Sequence, residues 1–199
     1  MNLRAFAQTF VTLVVIMDPL GNIPLFIALT GKRGSRERSW LAVQAAAAAG
    51  ALVAGFALFG QAVLAYLHVS TESLSIAGGL LLLLVALESF RGEALPSDEA
   101  TNIALVPLAT PLLAGPGAIA AVMVLSGRYG SLEGRIGVIA GIVLTVLVVG
   151  VSLSLAAQIS RLLRPAAVNF LSRVLALLLS AIAVQLISDA VVQIVRSGG

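Results

Sequence analysis

Two short segments combine helix-breaking residues with polar side chains, and at these two places the chain could bind a solute. The first is Asp18-Pro-Leu-Gly-Asn-Ile-Pro24, and the second is Thr110-Pro-Leu-Leu-Ala-Gly-Pro-Gly117. Proline lacks an N–H and disfavours helical geometry in the residue before it, and glycine permits backbone angles that other residues avoid. Each segment is therefore expected to interrupt a helix and to free amides and carbonyls.

Half-helix ends beside such interruptions carry partial charges of opposite sign, which suits a small zwitterion. Asp18 could bind an amine or carry a proton, or it could cap the following half-helix. Asn22 and Thr110 could hydrogen-bond the solute, with bonds between helices as the alternative. The predicted substrate-binding residues are Asp18, Pro19, Gly21, Asn22, Pro24, Thr110, Pro111, Gly115 and Pro116.

The elements that must position these segments are membrane-spanning helices. Of 199 residues, 59% are hydrophobic and 11% are charged, whereas a soluble domain carries roughly 25% charged residues. Apolar runs of about 20 residues recur, each long enough to cross a bilayer, and unpaired backbone groups are not tolerated in lipid. The chain is predicted to be all-α with six spans, near residues 5–29, 39–67, 73–91, 100–126, 134–163 and 168–195.

The distribution of Lys and Arg predicts the orientation of the spans. Eight of these residues fall in the first, third and fifth connections or at the start of the sixth helix, and four fall on the other side. Because Lys and Arg favour cytoplasmic loops, both termini are predicted to lie outside the cytoplasm. The positive net charge of +3 is thus expected to orient the chain rather than to bind nucleic acid.

The two halves of the chain resemble each other. A shift of 92 residues places Pro19 and Pro24 on Pro111 and Pro116, and the shift becomes 97 later in the chain, where Gln61 matches Gln158. We therefore predict two three-helix repeats, residues 1–95 and 96–199, with the first and fourth helices broken. An odd number of helices per half inverts the second repeat, as in many secondary transporters. Coincidence between two apolar halves is the alternative.

Carboxylates inside predicted spans are costly and need a partner, water or protonation. Asp18, Glu88 and Asp189 are the three cases, and Gln185 is the repeat counterpart of Glu88. These four residues are the candidates for coupling to an ion. Glu88 could instead form an interfacial salt bridge with Arg91, and Asp189 could lie near the outer surface.

Other chemistry is not expected. The chain has no Cys and a single His, so no metal site is predicted. No phosphate-binding Gly-Lys loop follows a strand. We predict neither an enzyme nor a bound cofactor.

The stretches Met17-Asp-Pro-Leu-Gly-Asn-Ile-Pro-Leu-Phe26 and Val106-Pro-Leu-Ala-Thr-Pro-Leu-Leu-Ala-Gly-Pro-Gly-Ala-Ile119 closely resemble the MarC family of bacterial inner-membrane proteins. The likeness continues through the helix from Gly78-Gly79 to Glu88 and into Ala181-Ile-Ala-Val-Gln185, so it covers nearly the whole chain. Some members are described as small neutral amino acid transporters. The resemblance implies a six-helix protein of the bacterial inner membrane that moves glycine, alanine or similar molecules.

The leading hypothesis is a secondary transporter of small neutral amino acids that works by alternating access. A proton or inorganic cation pathway through the intramembrane carboxylates is the second hypothesis, and a non-transporting membrane protein is the third. The expected partners are the amino acid, the lipid bilayer and a coupling ion, H⁺ or Na⁺. The sequence leaves a homo-oligomer open.

Overall fold

The computed structural model describes residues 2–30, 33–91, 113–162 and 165–197, and all regular structure in these ranges is helical. The helices are α1 (Leu3–Met17), α2 (Asn22–Thr30), α3 (Ser35–Leu67), α4 (Thr71–Arg91), α5 (Pro116–Arg128), α6 (Leu132–Ser154), α7 (Ala156–Leu162) and α8 (Pro165–Ser197). The prediction of an all-α chain is confirmed for the described residues.

Apolar length identifies the membrane-crossing elements. Three stretches are long and apolar enough to cross a bilayer, namely α3, α6 and the part of α8 from Arg173 to Arg196. α1, most of α4 and α5 are apolar but shorter. Each predicted span therefore has a helix within it, and the first is divided into α1 and α2. The fifth is divided at Leu155, between α6 and α7, which the sequence did not predict.

The buried face of α3 consists mainly of small residues, and several large apolar residues of the same helix face outward. Ala42, Ala49 and Val53 of α3 are fully buried, whereas Leu58 and Phe59 on the same helix are exposed. Such a distribution suits a bilayer, because lipid solvates the outer residues and small inner residues let helices approach closely.

Two glycines of α6 allow this helix to approach α1 closely. A Cβ added at Gly137 would lie 2.6 Å from the carbonyl oxygen of Asn2, and one added at Gly141 would lie 2.9 Å from that of Phe6. The spacing of four residues places both glycines on one face of α6, against the backbone of α1. Since the contacts advance together along both helices, α1 and α6 run parallel.

Two other helix pairs run antiparallel. Gly50 of α3 faces Val146 of α6, while Ala46, one turn earlier, lies near Gly150, one turn later. In the second pair, the first turn of α4 lies near the last third of α8, and Gly79, two turns further along α4, faces Ala183, nearer the middle of α8.

The starts of some helices and the ends of others lie together at one end of the bundle, which we call the Asn2 end. The Asn2 amide donates to the Glu133 carbonyl at 3.0 Å, which joins the starts of α1 and α6. Arg128, at the end of α5, pairs with Asp189 near the end of α8. The ends of α3 and α5 and the start of α4 meet in the same place. The start of α1 and the end of α8 therefore lie at the same end.

Candidate functional site: two broken helices

The first interruption separates α1 from α2 over only four residues. α1 ends at Met17, and Asp18 adopts a left-handed backbone conformation with φ 35° and ψ 69°. This conformation is uncommon outside glycine, although Asp and Asn tolerate it. The Asp18 amide still donates to the Val14 carbonyl at 3.1 Å. Pro19 follows and is buried.

Side chains within the interruption satisfy backbone groups that it frees. The Asp18 carboxylate oxygen Oδ1 accepts a hydrogen bond from the Gly21 amide at 2.9 Å. The Asn22 side chain donates from Nδ2 to the Met17 carbonyl at 2.8 Å. The geometry thus includes the capping role that was the alternative for Asp18. The other carboxylate oxygen, Oδ2, has no hydrogen-bond donor among the described residues.

The interruption is narrower than the sequence indicated. The Asn22 amide donates to the Asp18 carbonyl at 3.1 Å, and α2 begins there. Pro24 therefore lies in the first helical turn rather than in unwound chain. Proline is tolerated in a first turn because its missing N–H would have no intrahelical acceptor there.

Gly21 is required by the close position of the Asp18 side chain. A Cβ at this position would overlap Oδ2 of Asp18 and lie 2.7 Å from Cγ. Any larger residue would therefore have to displace the carboxylate.

The second interruption precedes α5 and has a different construction. Gly115 is the N-cap, with extended backbone at φ −63° and ψ 168°, and no side chain among the described residues caps the helix by a hydrogen bond. Pro116 is the first helical residue, and Leu113 and Ala114 are buried. Thr110 and Pro111, which the sequence analysis placed in the site, lie outside the described residues.

Residues beside the two interruptions belong to one buried cluster, and the interruptions lie at a similar depth. Met17 and Ile23, on either side of the first, belong to the same hydrophobic core as Leu113 and Ala114. α1 has 15 residues and α5 has 13. At 1.5 Å per residue, the interruptions lie about 22 and about 20 Å from the Asn2 end. The start of α5 thus lies near the end of α1, with the start of α2 beside it.

The remaining candidates lie away from this place. Asp189 accepts from Arg128 at 3.0 Å and from the Gln185 side chain at 2.6 Å, near the Asn2 end. Glu88 lies in the last turn of α4, and its side chain lies outside the described part. Because α4 begins beside Asp189 at Glu72, Glu88 is about 24 Å from that level along the helix. The described residues contain no group of three or more Asp, Glu or His that could hold a metal.

Sequence reasoning missed several polar residues that the fold brings together. From the sequence, Arg128 was only one of the charges that orient the chain. In the structure it forms an ion pair with Asp189. Gln61 donates to the Met123 carbonyl at 3.0 Å, and Ser126 donates to the Ala57 carbonyl, so α3 is joined to α5 by two hydrogen bonds. The only available sequence signal was the match of Gln61 to Gln158 in the repeat.

The fold is helical, with three helices able to cross a membrane and an interruption between α1 and α2. The family profile described as MarC family integral membrane protein matches residues 3–195. The chain belongs to the MarC family.

Similar proteins occur in archaea and bacteria. A UPF0056 membrane protein of Methanocaldococcus jannaschii is 36% identical over 96% of this chain and 98% of its own length. One from Aquifex aeolicus is 32% identical, covering 96% and 94%. The UPF0056 inner membrane protein YhgN of Escherichia coli K12 is 33% identical, covering 91% and 93%. No solved structure matches the chain significantly.

Proposed function

We propose that the protein is a secondary transporter of small neutral amino acids such as glycine and alanine. It would move its substrate unchanged between the two sides of the membrane, through a site formed by the two interruptions. The family resemblance supplies the substrate class, and the geometry of the interruptions supports it.

The observation that carries the proposal concerns α2 and α5, which begin at a similar depth. The groups at the start of α2 differ from those at the start of α5. α2 begins at an interruption whose carboxylate, Asp18, occupies its positive end. α5 begins after Gly115 and has no side-chain cap in the part of the chain that the structure describes. A substrate carboxylate would be stabilised at the start of α5, and a substrate ammonium group would bind the free oxygen of Asp18.

The surroundings favour a small substrate. Ile23 and Ala114 are buried beside the interruptions, and Leu20 is partly buried against the same core. An apolar wall beside a charged pole would accept a short or absent side chain and reject a charged one.

The antiparallel helix pairs support the inverted repeat. Under the shift of 97 residues, α3 corresponds to α6, and α4 corresponds to α8. A two-fold axis that exchanges antiparallel partners must run across them, and thus in the plane of the membrane. α5 packs on α3, and its counterpart α2 packs on α6 and α7, as such an axis requires. Alternating access would then move one repeat against the other.

The proton or cation pathway has less support. It needs the carboxylates to converge, whereas Asp189 is paired near the Asn2 end and Asp18 lies about 20 Å deeper along the bundle. Asp18 is the preferred site for an H⁺ or Na⁺ coupled to amino acid movement. Glu88, Gln185 and Asp189 are secondary candidates.

Reconstituted protein tests the function directly. Liposomes loaded with unlabelled glycine should accumulate labelled glycine and alanine by counterflow, and empty liposomes should accumulate much less. Imposed pH and Na⁺ gradients would identify the coupling ion. Absence of counterflow in vesicles that contain folded protein would contradict transport.

The distribution of Lys and Arg supports a proposal for the orientation. We propose that the Asn2 end faces away from the cytoplasm in a bacterial inner membrane, so that both termini are outside. Since the chain has no Cys, a single Cys placed at Asn2 or at Ser197 can be labelled in intact cells by an impermeant maleimide. Labelling only after the cells are opened would reverse the orientation.

A further inference from the structure

A polar cavity lies at the Asn2 end, away from both interruptions. It has a volume of about 260 Å³, and α3, α4, α5 and α8 contribute to its wall. Its described lining includes Gln61, Glu72, Ser75, Arg128 and Asp189, and contains no residue of either interruption. A water molecule takes roughly 30 Å³, so the cavity has room for a solute the size of glycine or alanine with water beside it.

The charges in this cavity are unequally satisfied. Asp189 accepts hydrogen bonds from Arg128 and Gln185, so both of its oxygens have donors. Glu72 has neither an ion pair nor a hydrogen bond from its side chain among the described residues. Arg128 uses Nη2 for Asp189, and a guanidinium group has further N–H donors. The cavity therefore offers an anion and a cation to a ligand.

Neutral groups add to this arrangement. The Gln61 amide nitrogen is held by the Met123 carbonyl at 3.0 Å, which leaves its oxygen as an acceptor. The Ser75 hydroxyl donates to the Thr71 carbonyl at 2.7 Å and can still accept. Two acceptors and one carboxylate suit an ammonium group, which has only donors.

We propose that this cavity is a second binding site for a small amino acid, with the ammonium group on Glu72 and the carboxylate on Arg128. This inference rests on the proposed function, since it places the site on the substrate's route between the Asn2 end and the interruptions. Arg128 lies at the end of α5, so the helix that begins at the second interruption ends at this cavity.

Protection from labelling tests the site without measuring transport. A single Cys introduced by Thr71→Cys lies in the cavity wall, and its reaction with a small methanethiosulfonate reagent can be followed in detergent. Saturating glycine should slow the reaction about fivefold or more, whereas ethylamine and acetate, each with one of the two charged groups, should slow it much less. Equal labelling with and without glycine would overturn the proposal.

The variants Glu72→Gln and Arg128→Gln identify the two poles, because each replaces a charged group by a neutral amide. Each should weaken glycine protection about tenfold, the effect of losing a charge-assisted hydrogen bond. Glu37→Gln is the control, because Glu37 forms the other described ion pair, with Arg33 at the start of α3. Size-exclusion chromatography in detergent would show whether each variant is folded like the control. If both cavity variants are folded and glycine protects them as well as it protects the parental protein, the site is contradicted.

Parallel counterflow separates this inference from the transport proposal. Flux in the parental protein without protection at Thr71→Cys would refute the cavity site and leave transport supported. Protection without flux would support the cavity site and contradict transport.

Discussion

The two interruptions differ in what holds them. In the first, the Asp18 and Asn22 side chains bind the Gly21 amide and the Met17 carbonyl. In the second, the Gly115 carbonyl accepts from the Ala118 amide, and α5 has no side-chain cap among the described residues. The first is thus fixed by local side chains, whereas the second is held by backbone in the part of the chain that the structure describes. One sequence pattern, Pro-x4-Pro, therefore supports a carboxyl group at one interruption and a helix start without a described side-chain cap at the other.

The largest expected effect is on flux, from Asp18→Asn. Asn tolerates the left-handed backbone, and its side-chain oxygen can still accept from the Gly21 amide. The protein should therefore fold, while loss of the charge should lower counterflow of glycine about a hundredfold or more if Asp18 binds the ammonium group. If this variant transports glycine at the parental rate, Asp18 only caps the backbone and does not bind the substrate.

Asp18→Ala separates the cap from the charge. It should lower the free energy of unfolding by about 2–3 kcal/mol, because alanine is strained at positive φ and the cap is lost. Thermal stability of the detergent-solubilised protein, measured beside Asp18→Asn, checks this difference. Equal stability of the two variants would show that the capping bond contributes little.

Gly21→Ala tests the crowding inside the first interruption. The added Cβ must displace the Asp18 carboxylate, so we expect a destabilisation of about 1–3 kcal/mol and a large loss of flux. Gly55→Ala is the matched control, since a Cβ there meets nothing within 4 Å, and it should be neutral or stabilising by up to about 1 kcal/mol. Similar effects from both variants would refute this geometry.

Asn22→Ala removes the hydrogen bond to the Met17 carbonyl. The expected cost in stability is about 1 kcal/mol, with a strong reduction of glycine flux. Ser126→Ala provides a comparison, because it also removes a side-chain bond to a helix carbonyl, that of Ala57, but away from the interruptions. If both lower flux equally, the loss at Asn22 is structural.

The smallest effect is expected from Thr110→Ala, in the second interruption. A hydroxyl group that helps to bind the substrate would leave flux intermediate between those of the parental protein and Asn22→Ala when removed. The apparent KM for glycine should rise while the protein remains as stable as the parent. An unchanged KM would remove Thr110 from the site.

Local chemistry allowed much of the architecture to be predicted. Composition and the length of the apolar runs indicated a helical membrane protein, because lipid imposes those lengths on any helix that crosses it. Asp18-Pro-Leu-Gly likewise predicted the first interruption, since proline and glycine act on the residues beside them. The sequence placed the end of that interruption too late, at Pro24, because proline is compatible with a first helical turn.

Only the tertiary structure decided how polar groups are paired. Nothing local distinguishes Asp189, which is bound by Arg128 from another helix, from Glu72, which shares its cavity without such a partner among the described residues. The capping of Asp18 onto Gly21 depends on a backbone angle that the sequence did not specify, and the presence of Met17 and Leu113 in one buried cluster depends on packing between distant segments. The sequence by itself determined where the first interruption begins, because the steric effects of proline and glycine are local, but it did not predict the division at Leu155. Which groups a break exposes, and to what, depends on the helices packed around it.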